Sequence, residues 1–132
     1  PIIMRMNSDL FQYLNSSVDG TLEKLSPISW KNKSAVCVVL ASKGYPESYP
    51  KEDEISGLEN IFSDAYIFHA GTKKQNKKII TNGGRVLGIT ALGDTLESAI
   101  KNAYDVTEKI SWKNKYSRTD IGKKGLKHLT ES

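Results

Sequence analysis

At 132 residues, with 38% hydrophobic and 26% charged side chains, the chain has the make-up of one globular domain, neither disordered nor fibrous. Lysine and arginine (19) exceed aspartate and glutamate (15) by four, too small an excess to imply nucleic acid as a partner. The single cysteine rules out an internal disulfide and suits a cytoplasmic home, and no apolar run approaches the ~20 residues of a membrane helix, so no membrane partner is expected either.

Pro1-Ile2-Ile3-Met4-Arg5-Met6 carries neither an initiator methionine nor a signal-peptide pattern. It reads as the middle of something longer: a fragment, a processed chain or an excised domain. Ser8 is a good N-cap, Leu10, Phe11, Leu14 and Val18 follow at helical spacing, and Gly20 closes the pattern, which predicts a helix over 8–19. Ala35-Val36-Cys37-Val38-Val39-Leu40-Ala41 is continuous and rich in β-branched residues. That predicts a strand buried on both faces, with Cys37 a small buried hydrophobe.

The next segment, from Ser42 to Lys51, holds two prolines, a glycine and two tyrosines, and reads as an ordered loop. Either it has a task beyond connection or it is simply packed by its own tyrosines. Asp53 and Glu54 just after it read as solvated acids. Strands are predicted at Ala65–Ala70, Lys77–Thr81 and Arg85–Leu92, with Gly71–Asn76 a polar hairpin connection, and the order suggests an antiparallel meander. Asp94 is the expected cap of the strongest helix, paired with Glu97 as a capping box. Leu96, Ala99, Ile100, Ala103, Val106 and Ile110 form one apolar stripe, which is core packing.

No nucleophile elbow, metal-spaced His–Glu pair or phosphate-binding P-loop is present, so no catalytic or metal-ligating residue is assigned in this chain. One constellation stands out. Asn82-Gly83-Gly84-Arg85 places two glycines, which let an anion approach backbone N–H groups, before a guanidinium fork suited to phosphate. The same residues also make an ordinary hairpin turn with an edge cation. His69 and Thr72 end a strand near that turn, where His69 either meets a ligand or bonds across the sheet. Lys73, Lys74, Lys77 and Lys78 read as a solvated hairpin tip, and no aromatics are interleaved for nucleic acid.

Taken together, Leu40-Ala41-Ser42-Lys43-Gly44-Tyr45-Pro46, Tyr49-Pro50-Lys51, Phe68-His69-Ala70-Gly71-Thr72, Thr81-Asn82-Gly83-Gly84-Arg85-Val86-Leu87, Thr90-Ala91-Leu92-Gly93-Asp94-Thr95-Leu96 and Tyr116-Ser117-Arg118-Thr119-Asp120-Ile121-Gly122 resemble the C-terminal domain of the phosphoribosylamine–glycine ligase family. Pro1–Leu10 resembles the end of the family's ATP-grasp domain, so the similarity runs colinearly over nearly the whole chain. Lys43, Glu47 and Glu52 depart from it, each standing where the family usually or often has glycine, and they add bulk and charge to the loop.

The resemblance implies an α+β fold: a small antiparallel, β-rich, barrel-sandwich-like C-terminal domain of an ATP-grasp enzyme with one packed helix, preceded by a helical segment. It implies a division into 1–33 (end of the ATP-grasp domain and connecting helix), 34–125 (C-terminal ligase domain) and 126–132 (tail). The implied reaction joins 5-phosphoribosylamine to glycine with ATP, in the second step of purine biosynthesis. ATP and Mg²⁺ (or Mn²⁺) belong to the complete enzyme and its upstream domains, and this chain alone is expected to bind neither and to be inactive. Its implied part is one wall of the active site, with Arg85, Gly84, Gly83 and Asn82 on the substrate phosphate and His69 and Thr72 as further wall residues. The competing reading is a stand-alone module that binds a phosphorylated ligand without ligase activity.

Overall fold

The computed structural model describes residues 1–130. The chain opens with a single helical turn, α1 (Ile2–Arg5), and a short helix, α2 (Leu10–Val18). Asp9, not Ser8, caps α2: its carboxylate accepts from Phe11 N–H at 2.9 Å, while Ser8 Oγ accepts from Ser29 N–H. Both residues are cap formers, and the tertiary bond to Ser29 takes Ser8 out of the contest. The helical spacing of Leu10, Phe11, Leu14 and Val18 was a sound guide to the helix, but all four side chains are exposed.

The body is a four-stranded antiparallel sheet. β1 (Ser34–Ser42) pairs with β5 (Arg85–Gly93), β2 (Ala65–His69) flanks β5, and the short β6 (Lys115–Tyr116) flanks β1, in the order β2-β5-β1-β6. This is not the expected meander. The hairpin of β3 (Thr72–Gln75) and β4 (Lys78–Thr81) folds off as a separate two-stranded sheet, and β5 then returns to lie between β2 and β1. Thr72–Gln75, expected within a polar connection, is itself a strand. Its turn is Asn76–Lys77, both in the left-handed region (φ 47° and 66°), as a two-residue hairpin turn of the twisted type requires.

The acids after the first loop are not loosely solvated. Glu52 N–H donates to Thr81 O, Thr81 N–H to Asp53 O, Asp53 N–H to Thr81 Oγ1 and Ile55 N–H to Ile79 O, so this segment lies along β4. Asp53 also accepts from Asn114 Nδ2, and Glu54 pairs with Lys78 at 2.7 Å.

α3 (Leu96–Lys109) covers one face of the sheet across β1 and β5. Thr95 is its N-cap, not Asp94. The Thr95 hydroxyl accepts from Ser98 N–H, and Ser98 Oγ accepts from Thr95 N–H, a reciprocal box one residue later than the acidic one predicted. Asp94 instead faces Lys33 at 3.8 Å. Ala99, Ala103, Val106 and Ile110 meet Val36, Val38 and Leu40 of β1 and Ile89 and Ala91 of β5, as the predicted stripe requires. Each fully buried Val, Leu or Ile side chain contributes about 1.5–3 kcal/mol of hydrophobic free energy, and each alanine less.

The opposite face of β1 is only partly covered. Val39 is 45% exposed and Cys37 half-buried, so the strand is not buried on both faces, and Cys37 is not a core hydrophobe. A continuous apolar run conceals which face is open, because periodicity vanishes when both sides are apolar. A last helix, α4 (Lys123–Thr130), was not assigned from the sequence. The final two residues of the predicted tail 126–132 lie outside the described residues.

Candidate functional site

The open face of the sheet ends at the corner where Arg85 begins β5. Register between β1 and β5 slips here: Leu40 faces Leu87 and Ala41 faces Arg85, leaving Val86 as an extra residue. Such a bulge re-aims the side chains beside it, and it explains why Val86 and Leu87 are both buried though adjacent. Arg85 is exposed. It borders two connected recesses, of about 490 and 260 Å³, that share Val39, Tyr45 and Arg85. Phe68, Gly88 and Leu87 floor the larger recess, and Cys37, Tyr116, Arg118 and Ile121 line the smaller one. Among the described residues, no carboxylate forms an ion pair with Arg85. The guanidinium therefore stands over an apolar floor with its donors open to a ligand.

The other cation of the cleft is engaged. Arg118 holds Asp120 in a two-pronged bond, Nε to Oδ1 at 2.9 Å and Nη2 to Oδ2 at 2.6 Å. That hydrogen bonding keeps the Asp120 carboxyl below its ordinary range and raises the guanidinium further.

The glycines before Arg85 have a packing reason of their own. Gly83 lies against Gly71, and a Cβ on Gly83 would approach Gly71 Cα to 2.9 Å. Gly84 is buried under the Tyr45 ring, where a Cβ would overlap the ring edge. The turn is pinned through carbonyls: Ser42 N–H donates to Gly84 O at 2.8 Å, Ser42 Oγ–H to Gly83 O, and Asn82 N–H to Gly71 O at 2.8 Å. Among the described residues, the Gly83 and Gly84 amides donate in none of these bonds. Asn82 is exposed beside them.

His69 and Thr72 do not join the cleft. His69 Nδ1 and Thr72 Oγ1 lie 3.0 Å apart. The His69 ring borders a different recess, with Phe62, Ala65 and Ile67, because it follows the inward-facing residues of β2 while Phe68 takes the open face. What this segment brings to the Arg85 corner is Ala70, which lines the larger recess, and two backbone bonds: Ala70 N–H donates to Val86 O and Gly71 N–H to Arg85 O. Tyr45, Phe68, Tyr116 and Arg118 complete the cleft, and sequence reading gave them no part in a site. The two-tyrosine loop was the one available signal, for Tyr45.

The model of the phosphoribosylglycinamide synthetase C domain matches residues 35–124. The chain belongs to that family. Phosphoribosylamine–glycine ligases from Synechocystis and Rhodopirellula baltica are 47% and 39% identical to it over 95% and 96% of its length. The chain spans only about 30% of each. The crystal structure of phosphoribosylamine–glycine ligase from Thermotoga maritima superposes on 82% of the chain with a TM-score of 0.65 and 36% identity, and the match covers 27% of that protein.

No helix is long and apolar enough to cross a membrane, and no group of three His, Cys, Asp or Glu side chains able to hold a metal occurs among the described residues.

Proposed function

We propose that this chain is the C-terminal part of a phosphoribosylamine–glycine ligase and forms the wall that receives the phosphate of 5-phosphoribosylamine. The supporting observation is Arg85: an exposed guanidinium without an acidic partner among the described residues, at the rim of an apolar cleft in a chain of this family. Its planar fork suits a phosphate, and the apolar floor lowers the local dielectric, which strengthens the charge-assisted bonds. Asn82, exposed at the same turn, reaches the phosphate edge, and Gly83 and Gly84 hold the turn in shape.

ATP, glycine and the divalent metal bind upstream, in the ATP-grasp part of the enzyme. This chain contributes position and charge, which confine the amine of phosphoribosylamine near the activated glycine carboxyl. The complete enzyme is cytoplasmic. The exposed Ile2, Ile3, Phe11, Leu14 and Val18 favour covalent neighbours as partners, since so much outward apolar surface on one arm is unusual in a free-standing domain.

Arg85→Ala in the complete ligase should raise KM for phosphoribosylamine at least about tenfold while KM for ATP stays within about twofold, a loss typical of a charged hydrogen bond. Arg85→Lys should rescue only part of the loss, because a point charge replaces a fork. Equal effects on both Michaelis constants would make Arg85 structural. The chain alone should release no ADP. Tight binding of a phosphoribosyl compound by the isolated chain, with no activity on recombination with the upstream domains, would favour the stand-alone module instead.

A further inference from the structure

The Tyr45 ring stands beside Arg85 at the head of the cleft. It borders both recesses beside Arg85. Its edge rests on Gly84, the residue immediately before Arg85, so closely that a Cβ there would push the ring aside. Tyr49 packs against it edge to face, with ring centroids 5.9 Å apart, and Lys51 lies over the Tyr49 ring at 5.9 Å. The loop that carries Tyr45 is anchored at both ends to the same turn. Ser42 bonds the Gly83 and Gly84 carbonyls, and Glu52 and Asp53 bond Thr81.

The ring and the turn therefore form one rigid corner, with Arg85 projecting from its edge. Phosphate recognition by a guanidinium fork depends on orientation, and a long side chain at an exposed site loses rotamer freedom when it binds. A flat wall beside it removes part of that cost in advance.

We infer that Tyr45 is a positioning residue: its ring seats the Gly83-Gly84 turn and aligns the Arg85 fork for the ribose phosphate. This rests on the proposed role of Arg85. It assigns the loop from Ser42 to Lys51 a task beyond connection, the alternative its tyrosines left open.

The test is a double-mutant cycle in the complete ligase, with initial rates at varied phosphoribosylamine. Tyr45→Ala should raise KM for phosphoribosylamine about five- to tenfold and leave kcat and KM for ATP within about twofold. Tyr45→Phe should behave like the parent, since the ring and not the hydroxyl does the seating. In an Arg85→Ala background, Tyr45→Ala should add less than about twofold, because the two act as a unit. Full additivity would overturn the inference while leaving Arg85 as a phosphate ligand. A loss in Tyr45→Phe equal to that in Tyr45→Ala would also overturn it, by placing the effect in the hydroxyl. An Arg85→Ala enzyme with unchanged KM for phosphoribosylamine would instead remove the underlying phosphate reading. Should Tyr45→Ala fail to fold, Tyr45→Leu, which covers Gly84 without a flat ring, takes its place with the same expectation.

Discussion

Glu52 carries a backbone conformation that its side chain disfavours. Its φ of 68° lies in the left-handed region, where a Cβ crowds the following carbonyl. The resemblance had marked this position as one where related ligases often have glycine, and the structure supplies the reason. Three nearby bonds hold the residue there, from Glu52 N–H to Thr81 O and between Asp53 and Thr81 in both directions. Glu52→Gly should therefore raise stability, by about 0.5–1 kcal/mol, after the added freedom of the unfolded chain is subtracted. Thermal unfolding of the two proteins measures it, and a lower Tm in the glycine variant would mean that the Glu52 side chain makes a compensating contact. Lys43 and Glu47, the other two departures, are exposed, and the structure gives no reason for their identity.

At the scale of elements, the C-terminal end of α3 depends on one distant side chain. Lys115 in β6 donates to Ile110 O at 2.6 Å, beyond the helix's own ladder, and to Thr107 O at 2.8 Å, which otherwise accepts only a long 3.4 Å bond from Ile110 N–H. The positive charge also suits the negative end of the helix dipole. Burial pulls the Lys115 amine below its ordinary value, and Glu108 opposes this. Lys115→Met keeps the stem and removes the donors, and should cost about 1–2 kcal/mol in denaturant unfolding. A change below about 0.3 kcal/mol would mean that water serves those carbonyls equally well. The cap at the other end of the same helix was legible as a type of motif but not in its register. Asp94 and Thr95 are both good caps, and it is the reciprocal Thr95–Ser98 bonds that fix the cap one residue later, with Asp94 left exposed.

At the scale of the whole molecule, apolar surface is distributed unevenly. One side of the sheet is sealed by α3, while α2 and the other side of the sheet carry exposed Phe11, Leu14, Val39 and Phe68. If the rest of a ligase covers α2, its side chains are worth little in this chain and much in the complete enzyme. Phe11→Ser with Leu14→Ser should leave the unfolding free energy of this chain within about 0.5 kcal/mol, as for ordinary surface changes. In the complete ligase the same pair should cost at least 2 kcal/mol, the scale of buried aliphatic losses. Equal, small effects in both would place α2 on the outside of the enzyme.

Local patterns determined a good deal by themselves. The stripe from Leu96 to Ile110 has the helical period, and only one face of such a helix can be buried. β-branched runs set β1 and β5, while the polar β3 and β6 carry no such pattern: β3 reads as connection and β6 goes unassigned. Asn82-Gly83-Gly84-Arg85, with its colinear neighbours, places the chain in its family. Tertiary structure decided the rest, because those choices depend on contacts between distant residues. It set which side of β1 is open, since Val38 and Val39 are chemically alike and only the position of α3 distinguishes them. It moved Arg85 onto that open side through a one-residue slip against β1. It separated His69 from the same cleft by the alternation of β2. It also brought Tyr45 onto Gly84, nearly forty residues away in sequence, a proximity that no local spacing encodes.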